Sequence, residues 1–281
     1  MSNMSENRRK DRDYYIHQYM TGQVNPTDPD VINQYVVASD AVLSQSSHQL
    51  DIHYGLHPRE RLDIFYAEKE PLGTIVYFHA GYWQSRDKVG FRFLASDFVK
   101  QGYNFVLVNY PLCPDVNIAA IVACARKAVL HVFQNLKIRH PQDKGLILSG
   151  HSAGGHIAVE LALDPWPEAP AATPIEAIFA ISGIYDLSPL VQTPLNDKLR
   201  MTLEDAMAYS PLFRVRNMGV NAFFVVGELE TEQFQLQSQA MADAWRQAGN
   251  PAKYHALPDS NHFNILQKFH TAANVVLAEM S

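Results

Sequence analysis

The chain has 281 residues, of which 47% are hydrophobic and 19% charged, with a net charge of -6. This composition supports a sizeable buried core and excludes global disorder, and the acidic balance excludes an electrostatic footprint for nucleic acid. Its two cysteines, Cys113 and Cys124, form no C-x-x-C pair, which excludes a disulfide scaffold. The polar stretch Met1–Asp13 lacks the apolar core of a signal peptide. No apolar run approaches the ~18 residues needed to span a bilayer. A soluble cytoplasmic protein is therefore expected.

Residues 1–45 are expected to form an N-terminal extension, and residues 46–281 a single domain. The extension starts as a frayed tail to about Asp11, continues as a short helix over Asp13–Met20 that ends near Gly22, and then forms a loop at Asn25–Pro29. Tyr14, Tyr15 and Tyr19 are its apolar anchors, either over a pocket mouth or on the back of a sheet. His48–Tyr54 and Arg61–Tyr66 read as an antiparallel pair. Gly73–Phe78 is a continuous apolar run, as a strand buried on both faces requires. Phe91–Gln101 reads as a helix, Tyr103–Asn109 as a buried strand and Val116–Leu136 as a long helix. Further strands fall at Gly145–Leu148, Ile175–Ile181, Ala222–Val226 and Ala252–Leu257. Glu232–Ala248 reads as a helix closed by Gly249. This alternation predicts an α/β fold: a central, mostly parallel, twisted sheet of about eight strands with helices on both faces. Right-handed crossovers then gather the loops after the strands at one edge, where such sheets bind ligands.

Several chemistry-bearing groups fall just past predicted strands. Gly150-His151-Ser152-Ala153-Gly154-Gly155 lies between the strand ending at Leu148 and the helix-compatible run Ile157–Ala162. Strand, Gly-x-Ser-x-Gly, helix is the context of a nucleophile elbow. A serine hydroxyl needs a base to become a nucleophile. His262, in the polar loop Pro258–Phe263, is placed to be that base, and its ordinary pKa near 6.5 suits proton relay. His151 and His156, flanking the elbow, are read as packing or lining residues. No histidine spacing matches a metal site. Gly227-Glu228-Leu229-Glu230-Thr231-Glu232 offers three carboxylates to orient the imidazole. Glu230 is favoured, Glu228 is next, and Asp186 and Asp259 are further candidates. The serine–acid–histidine order matches one known arrangement of the triad. The N–H of Ala153 and N–H groups around Gly81 and Tyr82 are the expected oxyanion donors. Tyr82, Trp83, Tyr185 and Phe263 are expected to wall an aromatic pocket.

At these residues the chain resembles a known family. His79-Ala80-Gly81-Tyr82-Trp83-Gln84 resembles the His-Gly-Gly-x-Trp motif of the kynurenine formamidase-like branch of α/β hydrolases, which is related to the hormone-sensitive-lipase-like esterases. Similar to the same branch are residues 109–114 (Asn-Tyr-Pro-Leu-Cys-Pro), 150–156, 181–187, 227–238 and 261–264. The resemblance covers roughly residues 50–275. It implies the α/β-hydrolase fold, Ser152, Glu230 and His262 as the triad, and Gly81, Tyr82 and Ala153 as the oxyanion hole. Ala80 departs from the family's glycine: it is strained if the position needs positive φ, and otherwise its methyl narrows the pocket. The expected function is a cofactor-independent serine hydrolase acting on a small ester or amide, aromatic in character, as an arylformamidase or a carboxylesterase. No metal, cofactor, nucleic-acid or membrane partner is expected, and a homodimer is compatible with the sequence. The competing reading is a binding protein that keeps the fold without catalysis.

Overall fold

The computed structural model describes residues 2–23, 31–139, 146–167, 175–269 and 274. In chain order its elements are α1 (Ser2–Tyr19), α2 (Val31–Leu43), β1 (His48–His53), β2 (Arg61–Phe65), β3 (Gly73–Phe78), α3 (Ala95–Lys100), β4 (Tyr103–Val108), α4 (Ile118–Arg139), β5 (Leu146–His151) and α5 (Ala153–Leu163). These are followed by β6 (Ile175–Ile181), α6 (Asn196–Leu199), α7 (Leu203–Ala208), β7 (Asn221–Gly227), α8 (Glu232–Gln247) and β8 (Ala252–Leu257). The strands form one eight-stranded sheet in the order β1-β2-β4-β3-β5-β6-β7-β8. β1 and β2 are antiparallel to each other, and β2 is antiparallel to β4; the remaining pairs are parallel.

The central strands are apolar throughout because both faces are covered. In β3, Val76 and Phe78 join a core beneath α4, α5 and α8, while Ile75 and Tyr77 join a second core beneath α2 and α3. Phe105 and Leu107 alternate with Val106 and Val108 in the same way, as do Phe223 and Val225 with Phe224 and Val226. In α4, Ile118, Ile121, Val122, Ala125, Ala128, Val129 and Val132 keep the three-to-four-residue spacing that presents one buried face to the sheet. Burying a Val, Leu, Ile or Phe side chain stabilises by roughly 1.5–3 kcal/mol, so these two layers dominate the fold.

The strand order also positions the site. The chain runs from β3 outward to β4, then crosses back over β3 to β5. The loops leaving β3 and β5 therefore diverge at a topological switch point, which opens a crevice at the carboxyl ends of those strands.

Three features differ from the sequence expectations. Helix α1 begins at Ser2, where a frayed tail to Asp11 was expected. Its polar, helix-favouring composition shows no apolar face at that end, which hid the helix from pattern reading. Helix α2 was not anticipated, although Val31, Tyr35, Ser39 and Val42 lie on one buried face. β5 continues to His151 because Ser149, Gly150 and His151 pair with Phe179, Ala180 and Ile181 of β6. The loop at Asn25–Pro29 and the start of β5 at Gly145 lie outside the described residues.

The end of α1 packs on the start of α8, at the crevice edge of the sheet. The Tyr14 hydroxyl donates to Glu232 at 3.0 Å, Thr231 donates to the Gln18 carbonyl at 2.7 Å, and the Tyr19 and Phe234 rings meet at 5.7 Å.

Candidate active site

Ser152 follows β5 directly and caps α5 with φ 57° and ψ -118°, a sparsely populated conformation for a residue with a side chain. Its N–H donates to the Ile181 carbonyl at 2.9 Å, and its carbonyl accepts from the His156 N–H at 3.1 Å. The sharp turn depends on close backbone approach. A Cβ on Gly154 would lie 1.9 Å from the Phe78 carbonyl oxygen, and one on Gly150 would lie 2.3 Å from the Gly154 backbone. Gly154 lets the elbow sit against the end of β3, and Gly150 lets the first turn of α5 close over the end of β5.

His262 lies in a loop closed by reciprocal side-chain bonds. The Asn261 side-chain oxygen accepts from the N–H groups of Phe263 and Asn264, both at 2.9 Å, and the Asn264 side-chain oxygen accepts from the Asn261 N–H at 2.8 Å. This Asx geometry fixes the backbone on both sides of the imidazole. His262 Nδ1 is 2.7 Å from Glu230 Oε2. The other Glu230 oxygen accepts from the Ser182 hydroxyl and from the Gly227 N–H at 2.9 Å. Both side chains are buried. Of the loop carboxylates, Glu228 and Glu232 are exposed, as is Asp259, and the Asp186 carboxylate is engaged by Ser188. Only Glu230 among these candidates is joined to His262.

The loop after β3 carries three successive positive φ values: Gly81 at 128°, Tyr82 at 50° and Trp83 at 58°. Ala80 is not among the positive-φ residues, so its methyl group is accommodated without backbone strain and instead lines the cavity. The loop is held by side chains from distant segments. The His79 ring stacks on Tyr110 at 4.4 Å, and the Tyr110 hydroxyl donates to the His79 carbonyl at 2.7 Å. Arg59 donates to the carbonyls of Tyr110 and Arg86, both at 2.8 Å. The Cys113 N–H donates to the Trp83 carbonyl at 2.8 Å, and the Tyr82 hydroxyl donates to the Tyr19 carbonyl. Burial lowers the His79 pKa to about 4, which keeps its ring neutral. Sequence reading missed Arg59, because nothing local marks a residue of the β1–β2 connection as a clamp on a loop 20 residues away.

Ser152 and His262 face a common cavity of about 300 Å³. Phe263, Gly81 and Tyr82 line it, as do Tyr19, Tyr35 and Phe91. Thus the end of α1 and part of α2 contribute to the pocket wall. Trp83 and Tyr185 do not reach it, which corrects their expected place in the wall. Positive φ at Trp83 turns its indole inward, edge-on to His156 at 5.0 Å, and it is fully buried. Tyr185 is fully buried as well, edge-on to Phe224 at 5.6 Å. Ala153, the residue after Ser152, is fully buried as the first residue of α5. Among the described residues, no group of His, Cys, Asp and Glu is arranged to hold a metal ion, and no helix is long and apolar enough to cross a membrane.

Comparison with known proteins agrees with this architecture. The BD-FAE family model matches residues 62–211, from β2 to just beyond α7. The chain is similar to a kynurenine formamidase of Danio rerio, with 29% identity over 280 residues, covering 94% of each chain. Among solved structures it is similar to a protein of Silicibacter sp. TM1040 described as a candidate thioesterase, with a TM-score of 0.81 and 28% identity over 90% of this chain and 93% of that one. It also shares its fold with a hyperthermophilic esterase from Pyrobaculum calidifontis, with a TM-score of 0.72 and 16% identity, covering 95% of each chain.

Proposed function

Because the chain belongs to the BD-FAE family, an α/β-hydrolase family of the kynurenine formamidase and esterase branch, we propose that it is a serine hydrolase that cleaves a small aryl formamide or ester. Ser152 is the nucleophile, His262 the base and Glu230 the acid that orients it. The single observation that carries this reading is the 2.7 Å bond from His262 Nδ1 to Glu230, with His262 lining the same cavity as Ser152. That bond leaves Nε2 as the nitrogen available for the Ser152 proton.

In the proposed mechanism, Ser152 Oγ attacks the substrate carbonyl while His262 takes its proton. The N–H groups of Gly81, Tyr82 and Ala153 receive the developing oxyanion, each contributing about 3 kcal/mol to the transition state. The imidazolium, stabilised by Glu230, then protonates the leaving amine or alcohol. Water repeats the sequence on the acyl-enzyme. Two protein donors besides His262, the Ser182 hydroxyl and the Gly227 N–H, hold the other oxygen of Glu230 and so fix its orientation toward the imidazole.

The formamidase version is favoured over a general carboxylesterase. It is supported by the near full-length similarity to the Danio rerio formamidase and by the aromatic wall of Tyr19, Tyr35, Tyr82, Phe91 and Phe263. The test has two stages. A fluorophosphonate probe labels the wild type and not Ser152→Ala; equal labelling of both, or none of the wild type, overturns the serine mechanism and favours a non-catalytic binding protein. Turnover of N-formylkynurenine without turnover of p-nitrophenyl butyrate then supports the formamidase, and the reverse supports the carboxylesterase.

A further inference from the structure

Helix α8 starts without a cap of its own. Thr231 stands at its N-cap position, where a threonine hydroxyl ordinarily accepts from the N–H two or three residues on. It accepts from neither. The residue three on is Phe234, so no acid is placed to complete a capping box. The acceptor comes from another helix. The side-chain oxygen of Gln18, in the last turn of α1, accepts from the Gln233 N–H at 3.0 Å. The Thr231 hydroxyl turns toward α1, donating to the Gln18 carbonyl at 2.7 Å and accepting from the Gln23 side chain at 2.5 Å. The Gln18 carbonyl is one of the last four of α1, which a helix cannot pair internally, and it also accepts from the Gln23 side chain at 3.0 Å. Gln18 and Gln23 are both buried. The two helices thus cap each other, and the negative end of the α1 dipole meets the positive end of the α8 dipole.

The turn so capped holds the imidazole from two sides. Glu230, one residue before the cap, bonds His262 Nδ1 at 2.7 Å, and its backbone carbonyl is tied to α8 by the Gln235 side chain at 2.8 Å. Phe234, in the first turn, lies against the His262 ring with centroids 4.4 Å apart and planes tilted by 51°. Tyr19, the residue after Gln18, packs edge-on against the same phenylalanine at 5.7 Å. A shift of this turn therefore moves together the carboxylate and the ring that hold His262. Hydrogen bonds also join Tyr14 to Glu232 and Gln237 to Tyr19, so the contact between the helices fixes direction as well as distance.

We propose that Gln18 is a positioning residue for the triad: it supplies from α1 the cap that α8 lacks, and so sets the turn from which Glu230 and Phe234 hold His262 toward Ser152. The inference rests on the serine hydrolase reading. It gives α1 a part in the rate of the chemical step, beyond its place in the pocket wall. Gln18 itself does not line the cavity, so losing its acceptor slows the chemistry and leaves binding in the pocket unchanged.

The test compares Gln18→Met, which keeps the length of the side chain and removes the acceptor, with Gln18→Glu, which restores an acceptor and adds a charge that suits a helix N-terminus. Inactivation by a fluorophosphonate, followed over a range of probe concentrations, separates the maximal rate from the half-saturating concentration. Gln18→Met is expected to lower the maximal rate about tenfold with the half-saturating concentration unchanged, and Gln18→Glu to recover most of the rate. A second readout needs no reaction. The proton between His262 Nδ1 and Glu230, assigned as the downfield NMR resonance lost in Glu230→Gln, is expected to broaden by exchange with water in Gln18→Met and to sharpen again in Gln18→Glu. An equal loss of rate in both variants overturns the proposal, because the acceptor is then not what matters. If Gln18→Met does not fold, Gln18→Asn takes its place with the same expectations, since its amide is one methylene short of the Gln233 N–H. A wild type that the probe does not label overturns the serine hydrolase reading and this inference together. A labelled wild type, with Gln18→Met less stable but unchanged in rate and resonance, overturns this inference alone.

Discussion

The elbow at residues 150–155 and the loop at residues 79–86 face the same cavity but are held by different forces. The elbow is fixed by exclusion: Gly150 and Gly154 sit where a Cβ would lie within 2.3 Å of backbone, and Ser152 is forced to positive φ between β5 and α5. The loop has positive φ at Tyr82 and Trp83 as well, but it is fixed by polar and aromatic tethers from Arg59, Tyr110, Cys113 and Tyr19. A sterically locked turn has few ways to relax. A tethered loop loses its geometry one bond at a time. Strain at the first should therefore fail abruptly when breached, and strain at the second should fail by degrees.

The largest effect is expected where the steric lock is broken. Gly154→Ala places a methyl group 1.9 Å from the Phe78 carbonyl oxygen, so the elbow must separate from β3. Destabilisation of more than about 4 kcal/mol is expected, with loss of soluble folded protein or of probe labelling. Thermal unfolding within a few degrees of the wild type, with labelling intact, would show that the lock is not where the geometry is held. Next comes Glu230→Gln, which keeps the shape of the side chain and removes the charge proposed to stabilise the imidazolium. A fall in kcat of about 10²- to 10⁴-fold with little change in KM is expected. A fall of less than about threefold would remove Glu230 from the proposed triad.

The buried histidines place a pH limit on both regions. His79, beneath the loop, and His156, beneath the elbow, are each lowered to about 4 by burial. The unfolded chain, with a histidine pKa near 6.5, binds more protons than the folded one between those values. Their neutrality contributes stability that is fully present above about pH 6.5 and is lost as the pH falls toward 4, by up to about 3 kcal/mol for each histidine. Chemical denaturation at pH 7, 6 and 5 is expected to show the decline, with a shallower slope in His79→Gln. A flat profile in the wild type would contradict the exclusion of these protons.

The difference between the two regions also explains what could be read in advance. The sheet was legible because strands buried on both faces must be continuous apolar runs, and Gly73–Phe78 and Ile175–Ile181 could hardly be anything else. The elbow was legible because its requirement for glycine is local and leaves a fixed spacing. The order of Ser152, Glu230 and His262 followed from strands that end at one edge, and the hydrogen bond to His262 separates Glu230 from Glu228, which a run of three glutamates could not do. The tethers of the loop were not legible, since Arg59 and Tyr19 are joined to it only by the fold. The same limit applies to Trp83 and Tyr185. A sequence locates an aromatic residue in a loop, but the backbone conformation at that position decides whether the ring faces the pocket or the core.

The tethers can be tested by graded loosening. Arg59→Lys keeps the charge but cannot span the carbonyls of Tyr110 and Arg86 as the planar guanidinium does. A stability loss of about 1–2 kcal/mol and a fall in kcat of roughly tenfold are expected, as the loop samples geometries that misplace the proposed oxyanion donors. A kcat equal to that of the wild type at the same stability loss would mean that Arg59 supports the fold and not the loop.

The smallest change is Tyr82→Phe, and it isolates the tether between the loop and the N-terminal helix. The Tyr82 hydroxyl donates to the Tyr19 carbonyl at the end of α1, and Tyr19 in turn packs on Phe234 and takes a bond from Gln237. Removing one hydroxyl leaves the aromatic packing in place and costs about 1 kcal/mol. Its effect should appear in two places at once: a few-fold fall in kcat/KM, and faster amide exchange over residues 19–23, where α1 turns past the cavity. Faster exchange without a kinetic change would mean that α1 covers the pocket without steadying the loop. A kinetic change without faster exchange would place the tether's effect in the loop alone. Both together would make the N-terminal helix a working part of the site, because the helix and the strained loop would then share a single hydrogen bond as their mechanical link.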